Sequence, residues 1–356
     1  MACIVFTSYK HSVVLVDKLP ALQYRQRSTR NSTSHYTNVT THVAFLKVHK
    51  AGSTTVQNLL FRFGMRHDLN ILLPKSGNYL NRASQKMSLK AGQKSYDIFA
   101  CHTIYQKQWF DSLLPTDSVY IGIVRDPVER MISSAYYYRD VFGVGYLKRV
   151  PRANFIHDLV NYPDKYDTAF FSHTRNSMGK DFGFRRGIEP TNKSKIRKYL
   201  DQLNSQFLLV LIMEKFDESL VMLKRLLNWS FGDIIYLKMN SHKHEHTVLN
   251  STEIAKFRNT SFLDFEIYEY FSNVFETKLK QTEDEFYKEV EFFQTTLDKT
   301  SEFCSRKNKT EIVALSFGKS KWDEKFQVTQ LDCEWMKTKE LSFISKLRST
   351  KHIQLA

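Results

Sequence analysis

Residues 43–63 constrain the fold more than any other stretch. Val43 to Lys47 are mostly apolar and β-prone, a short polar turn holds Gly52, and beyond Ser53 the apolar residues Val56, Leu59, Leu60 and Phe63 recur at helical spacing. The pattern predicts strand, tight loop, helix. Such a unit converges several backbone N–H groups and the positive end of a helix dipole on one point, and Ser53, Thr54 and Thr55 add hydroxyls beside it. Lys47, His49 and Lys50 bring two cations and an imidazole within four residues, which is electrostatically unfavourable without an anion to pair with them. The stretch therefore predicts a binding site for a phosphate- or sulfate-bearing ligand. The alternative is an ordinary βα turn with a Ser/Thr cap; the Gly-Lys-Ser/Thr ending of an ATPase loop is absent.

Further apolar runs extend this unit into a sheet. Tyr96 to His102 reads as a short buried strand ending in a histidine. That position suits proton transfer, the alternative being a hydrogen-bonded structural imidazole. Ser118 to Val124 is a second strand, followed at once by Arg125-Asp126-Pro127. Asp at the cap and Pro at the first helical position predict a helix with Val128, Met131, Ile132 and Ala135 on one face. Arg125 then leaves a strand end, where a guanidinium can fork onto a phosphate, and Ser133 lies about two turns further on; Arg125 capped by its own Asp126 is the alternative. Tyr136 to Tyr138 form either a flank for a flat ligand ring or a solvated helix-end cluster. Phe207 to Met213 is a third strand, Glu214 to Leu227 an amphipathic helix capped near Asp217, and Ser261 to Leu297 one long charged helical run. The fold class expected is α/β: an open, mostly parallel sheet flanked by helices, with ligand along its carboxyl edge.

The net charge of +15 raises nucleic-acid binding. The basic residues are spread along the chain and no nucleic-acid signature is present, so an anionic nucleotide and an acidic membrane or glycan environment are the expected causes, and no nucleic-acid partner is expected. Seven Asn-x-Ser/Thr sites occur, at Asn31, Asn38, Asn192, Asn228, Asn250, Asn259 and Asn308, against about two or three by chance. The excess points to the secretory pathway, with Asn228 expected buried in its apolar segment. Of four cysteines, Cys304 and Cys333 are candidates for a disulfide in an oxidising lumen, and Cys101 reads as a buried free thiol. Met1 to Pro20 holds two apolar runs, each short of the roughly 18 residues that span a bilayer. Residues 1–41 are expected as an N-terminal segment and stem, 42–300 as the catalytic domain, and 301–356 as a basic extension packed on it.

Leu46, Lys47, His49, Lys50, Ser53 and Thr55 resemble the 5′-phosphosulfate loop of the galactose 3-O-sulfotransferases, which runs Leu-Lys-Thr-His-Lys-Thr-Ala-Ser-Ser-Thr; the departures are Val48, Ala51, Gly52 and Thr54. The resemblance spans roughly residues 42–340 and implies a P-loop-like sulfotransferase fold. It implies 3′-phosphoadenylyl sulfate (PAPS) as donor, with Gly52, Ser53, Thr54 and Thr55 on its 5′-phosphate, Arg125 and Ser133 on its 3′-phosphate, and no metal. Lys50 would neutralise the departing bridge oxygen and Lys47 or His49 steady the sulfonate. His102 would be the base, with His49 as runner-up. Arg175 and Asn176, in a segment similar to the family's, would touch donor or sugar. Phe216 to Asn240 would be scaffold. The acceptor implied is the galactose 3-OH of a glycolipid or glycan, in the Golgi lumen. The family's single N-terminal anchor is not evident in Met1 to Pro20, so an incomplete gene model or a form lacking its anchor is expected. The alternatives are an inactive glycan- or nucleotide-binding relative and a P-loop kinase-like phosphotransferase.

Overall fold

The computed structural model describes residues 39–80, 95–169, 172–238, 247–306 and 314–349. Strands β1 (Val43–Phe45), β2 (Ile71–Leu72), β3 (Ile98–Phe99), β4 (Val119–Val124) and β5 (Leu209–Ile212) form one sheet in the order β2-β3-β1-β4-β5. Every adjacent pair is parallel, Val43 standing opposite both Ile98 and Val119. Their uninterrupted apolar character follows from burial on both faces: Val43, Ala44, Phe45, Ile98, Phe99 and Ile121 are fully enclosed. Because the strands all run parallel, the loops leaving β1, β3, β4 and β5 open at one edge, the place where open α/β sheets hold ligands.

The Ser53–Arg66 helix buries Val56, Leu59, Leu60 and Phe63 against the sheet. The Pro127–Asp140 helix starts as expected, with the Asp126 carboxylate accepting from the Glu129 N–H at 2.9 Å and Pro127 in the first turn. Its apolar face does not join the sheet core. Met131, Ile132 and Ala135 pack with Phe155, Ile156, Phe257 and Phe265 into a second, smaller cluster.

Three expectations need correction. The run from Ser261 to Leu297 is two helices, Phe262–Lys280 and Asp284–Ser305: the Gln281 N–H turns to the Lys278 carbonyl at 3.2 Å and the Thr282 N–H to the Leu279 carbonyl at 2.9 Å, which tightens the last turn, and the chain restarts after Glu283. Asp217 is no cap: the Phe216–Leu227 helix starts before it, and its carboxylate accepts from Tyr236 Oη at 2.7 Å and Gln294 Nε2 at 3.1 Å. The strand expected from Tyr96 to His102 is only β3, which stops at Phe99, and His102 instead makes an isolated parallel bridge to Tyr79.

Beyond residue 305, β6 (Ala314–Phe317) and β7 (Phe326–Thr329) pair antiparallel, followed by the helices Gln330–Lys337 and Glu340–Ser349. A disulfide joins Cys304 to Cys333, and Phe343, Ile344 and Leu347 are buried in the same core as the sheet. The described residues from 39 onward thus group as one compact unit, so the segment expected as an extension shares the core of the five-stranded sheet. Cys101 is buried and unpaired. Asn31, Asn38, Asn308 and most of the expected stem lie outside the described residues. Among the described residues no helix is long and apolar enough to cross a membrane.

Candidate functional site

The turn after β1 is built by two left-handed residues, Lys50 at φ 61° and Gly52 at φ 74°. Gly52 suits the turn on two counts: the φ disfavours a side chain, and an added Cβ would lie 2.2 Å from Met213 Sδ just beyond β5, so that the methionine side chain would have to shift. Ser53 Oγ donates to the Val48 carbonyl at 2.6 Å and ties the turn shut. Lys47 is 1% exposed and its Nζ reaches Thr54 Oγ1 at 3.2 Å and Glu340 Oε2 at 3.3 Å. Burial pushes the Lys47 ammonium below its ordinary value although Glu340 pulls it up. Glu340 also accepts from Thr54 Oγ1 at 3.1 Å and Asn78 Nδ2 at 2.7 Å. Burial alone would raise its carboxyl, but Lys47, Asn78 and Thr54 together hold it below the usual range.

Lys50 Nζ stands 3.8 Å from the centre of the Tyr137 ring. Burial first, then Arg125 and Lys47, lower it to about 8. Arg125 Nη1 donates to the Lys50 carbonyl at 3.4 Å and Nη2 meets Glu129 at 3.3 Å, so Arg125 adjoins the loop and is not held by Asp126. Ser133 lies half-buried along the same helix. The tyrosines are no solvated cluster: Tyr137 carries Lys50, Tyr138 stacks on His173 at 4.1 Å, and Tyr136 packs edge-on to Phe155.

His49 and His102 stack with centroids 3.9 Å apart. His49 is clamped by buried Asp181, whose carboxylate takes the His49 N–H at 2.8 Å and the ring Nδ1 at 2.8 and 3.0 Å. An ionised carboxylate can only accept, so Nδ1 carries a proton, and in the neutral ring the lone pair is then on Nε2. His102 Nδ1 faces the Lys47 carbonyl at 3.0 Å, which fixes the same tautomer. Burial pushes His102 well below its ordinary value, and Lys47 and His49 add to the effect. His102 is 8% exposed, whereas the His49 side chain is 23% exposed.

Asp181, Glu340 and Asn78 were not singled out in the sequence. Asp181 had one local signal, the Asp181-Phe182-Gly183 turn: Gly183 has φ 81°, and a Cβ there would lie 2.4 Å from the Tyr105 carbonyl.

Arg175 and Asn176, expected at donor or sugar, hold scaffold. Arg175 Nε meets Asp167 Oδ2 at 2.9 Å and Nη2 the Asp167 carbonyl at 2.7 Å. Asn176 Oδ1 accepts from the Leu263 N–H at 2.9 Å, and its Nδ2 points to the Thr260 carbonyl at 3.4 Å. Beside them the fully buried Arg130–Asp264 pair, 3.0 Å apart, accepts the Ser177 and Gly179 N–H groups on Asp264. The 172–181 segment is thereby fixed, and with it Asp181.

Asn228, expected buried, is exposed and ends its helix at φ 55°; Asn250 and Asn259 are exposed as well, and Asn192 is half-buried. Among the described residues no group of three or more His, Cys, Asp or Glu side chains is arranged to hold a metal ion.

The family model described as galactose-3-O-sulfotransferase matches residues 4–314. Galactose-3-O-sulfotransferase 2 of Mus musculus is 31% identical over 254 residues, 67% of this chain and 63% of the relative. Galactosylceramide sulfotransferase of Homo sapiens is 27% identical over 270 residues, 73% and 63% respectively. Galactose-3-O-sulfotransferase 3 of Homo sapiens is 31% identical over 257 residues, 69% and 58%. The match thus spans less than two thirds of each relative's length.

Proposed function

This chain belongs to the galactose-3-O-sulfotransferase family, and from that premise we propose that it moves the sulfuryl group of PAPS to a galactose hydroxyl, the 3-OH, of a galactosylceramide-type glycolipid or galactose-terminated glycan. The observation that carries the reading is the cation cluster at one sheet edge, where Lys47 bonds the Thr54 hydroxyl, Arg125 bonds the Lys50 carbonyl, and a histidine pair stacks beside them. PAPS, when bound, supplies the activated sulfuryl group, whose transfer is loose and in-line and demands charge stabilisation more than covalent help.

The loop N–H groups with Gly52, Ser53, Thr54 and Thr55 are assigned to the 5′-phosphate, and Arg125 with Ser133 to the 3′-phosphate. Ser53 Oγ is already committed to Val48, so its contribution is to hold the turn. Lys50 neutralises the charge that grows on the departing oxygen, and Lys47 steadies the sulfonate. For the proton of the acceptor hydroxyl, the Asp181 clamp and the greater exposure favour His49 over His102. Asp181 orients the ring and stabilises the imidazolium once the proton is taken, while His102 packs against it.

A Golgi lumenal location, with the chain associated with the membrane there, is proposed on the excess of Asn-x-Ser/Thr sites and on the Cys304–Cys333 disulfide. The test is incubation of the purified chain with labelled PAPS and a panel of galactosylceramide, lactosylceramide and N-acetyllactosamine. Label on a terminal galactose is the expected result. Donor binding without transfer would identify an inactive relative, and magnesium-dependent phosphate transfer a phosphotransferase; either outcome overturns the proposal.

A further inference from the structure

Lys47 is almost fully enclosed, and a buried cation without a counter-charge is strongly destabilising. Its counter-charge comes from far along the chain. Glu340 opens the Glu340–Ser349 helix, beyond residue 314 where the family match ends. The carboxylate is held from three sides, by Lys47 at 3.3 Å, Thr54 at 3.1 Å and Asn78 at 2.7 Å. The helix behind it is fastened by Arg348, which donates to the Pro74 carbonyl at 2.8 Å and the Gly77 carbonyl at 2.7 Å, and by buried Phe343, Ile344 and Leu347.

Lys47 and Thr54 are two of the groups assigned above to the phosphosulfate end of the donor. A single hydroxyl proton serves one acceptor at a time, and a second anion within a few ångströms of the carboxylate meets strong repulsion in a site this enclosed. We propose that Glu340 is an internal counter-anion of the donor loop: it competes with the donor's 5′ anionic group for Lys47 and Thr54, must be displaced when donor binds, and so lets the C-terminal helix set donor affinity. The inference rests on the donor reading above.

The test is calorimetric titration of adenosine 3′,5′-bisphosphate into the wild-type chain, Glu340→Gln and Asn78→Ala. The glutamine keeps the shape and removes the charge; the alanine releases the carboxylate from its third partner and leaves Lys47 and Thr54 intact. Glu340→Gln should bind the bisphosphate roughly 5- to 50-fold more tightly than wild type, and Asn78→Ala should shift affinity in the same direction by less. If Glu340→Gln does not fold, as thermal denaturation would reveal, Asn78→Ala decides alone. A wild type that binds while the variants bind equally well or more weakly would reduce Glu340 to a fastening and overturn the proposal. Absence of binding in all three would overturn the donor reading and this inference with it.

Discussion

Lys50 combines a left-handed backbone, a tyrosine ring under its ammonium and two cations beside it, and its proton is accordingly loose, at about 8. If its charge serves the departing oxygen, kcat/KM for donor should fall as pH rises through about 8, since that ratio reports the free enzyme. The effect on stability has the opposite sign. Between about 8 and the ordinary 10.5 the unfolded chain holds a proton that the native chain lacks, so this group alone makes stability rise with pH there. Lys50→Arg should remove the alkaline fall in kcat/KM, and a fall that persists in that variant would assign it to another group. The histidines give a second prediction. His49→Ala should lower kcat by about 10²–10⁴ with bisphosphate affinity nearly unchanged, and steady-state kinetics that instead locate the loss in His102→Ala would return the base to His102. At this scale the sequence was partly legible. Lys47, His49 and Lys50 announce themselves because they are neighbours. Asp181 and Glu340 reach the same point from 132 and 293 residues away, a distance that no local pattern reports.

Among the elements, those with strong local chemistry were readable. The Asp126-Pro127 start is encoded in two adjacent residues, and the central strands in unbroken apolar runs. β2 is only Ile71–Leu72, too short for any periodicity, and the break after Lys280 falls at Gln281-Thr282-Glu283, which contains no Gly or Pro to announce it. The segment that presents Asp181 depends on a buried charge pair. Replacing Asp264 with Ala leaves the Arg130 guanidinium enclosed and unpaired and orphans the Ser177 and Gly179 N–H groups. The expected loss is about 3–5 kcal/mol of stability, measured by denaturant titration, with kcat reduced in the surviving folded fraction because Asp181 is no longer fixed. A variant as stable as wild type would show that the segment is held by packing alone.

For the molecule as a whole, the C-terminal helices share one compact unit and one core with the five-stranded sheet. The Cys304–Cys333 bond closes a separation of 29 residues, and replacing both cysteines with Ser should lower stability by about 3–4 kcal/mol on chain-entropy grounds, read as a lower denaturation midpoint; no change would mean that packing fixes this region unaided. The sheet's wider consequence is to place turns 75 residues apart in sequence, at Lys50 and Arg125, in contact at one carboxyl edge. The account requires them to grip the two ends of a single nucleotide. The most direct measurement is the affinity of adenosine 3′,5′-bisphosphate and of adenosine 5′-monophosphate for the wild-type chain and for Arg125→Ala. The account predicts that wild type prefers the bisphosphate and that Arg125→Ala loses about 1.5–3 kcal/mol toward it while binding the monophosphate nearly as before. Equal affinity for both nucleotides in wild type, or equal losses for both in the variant, would contradict it.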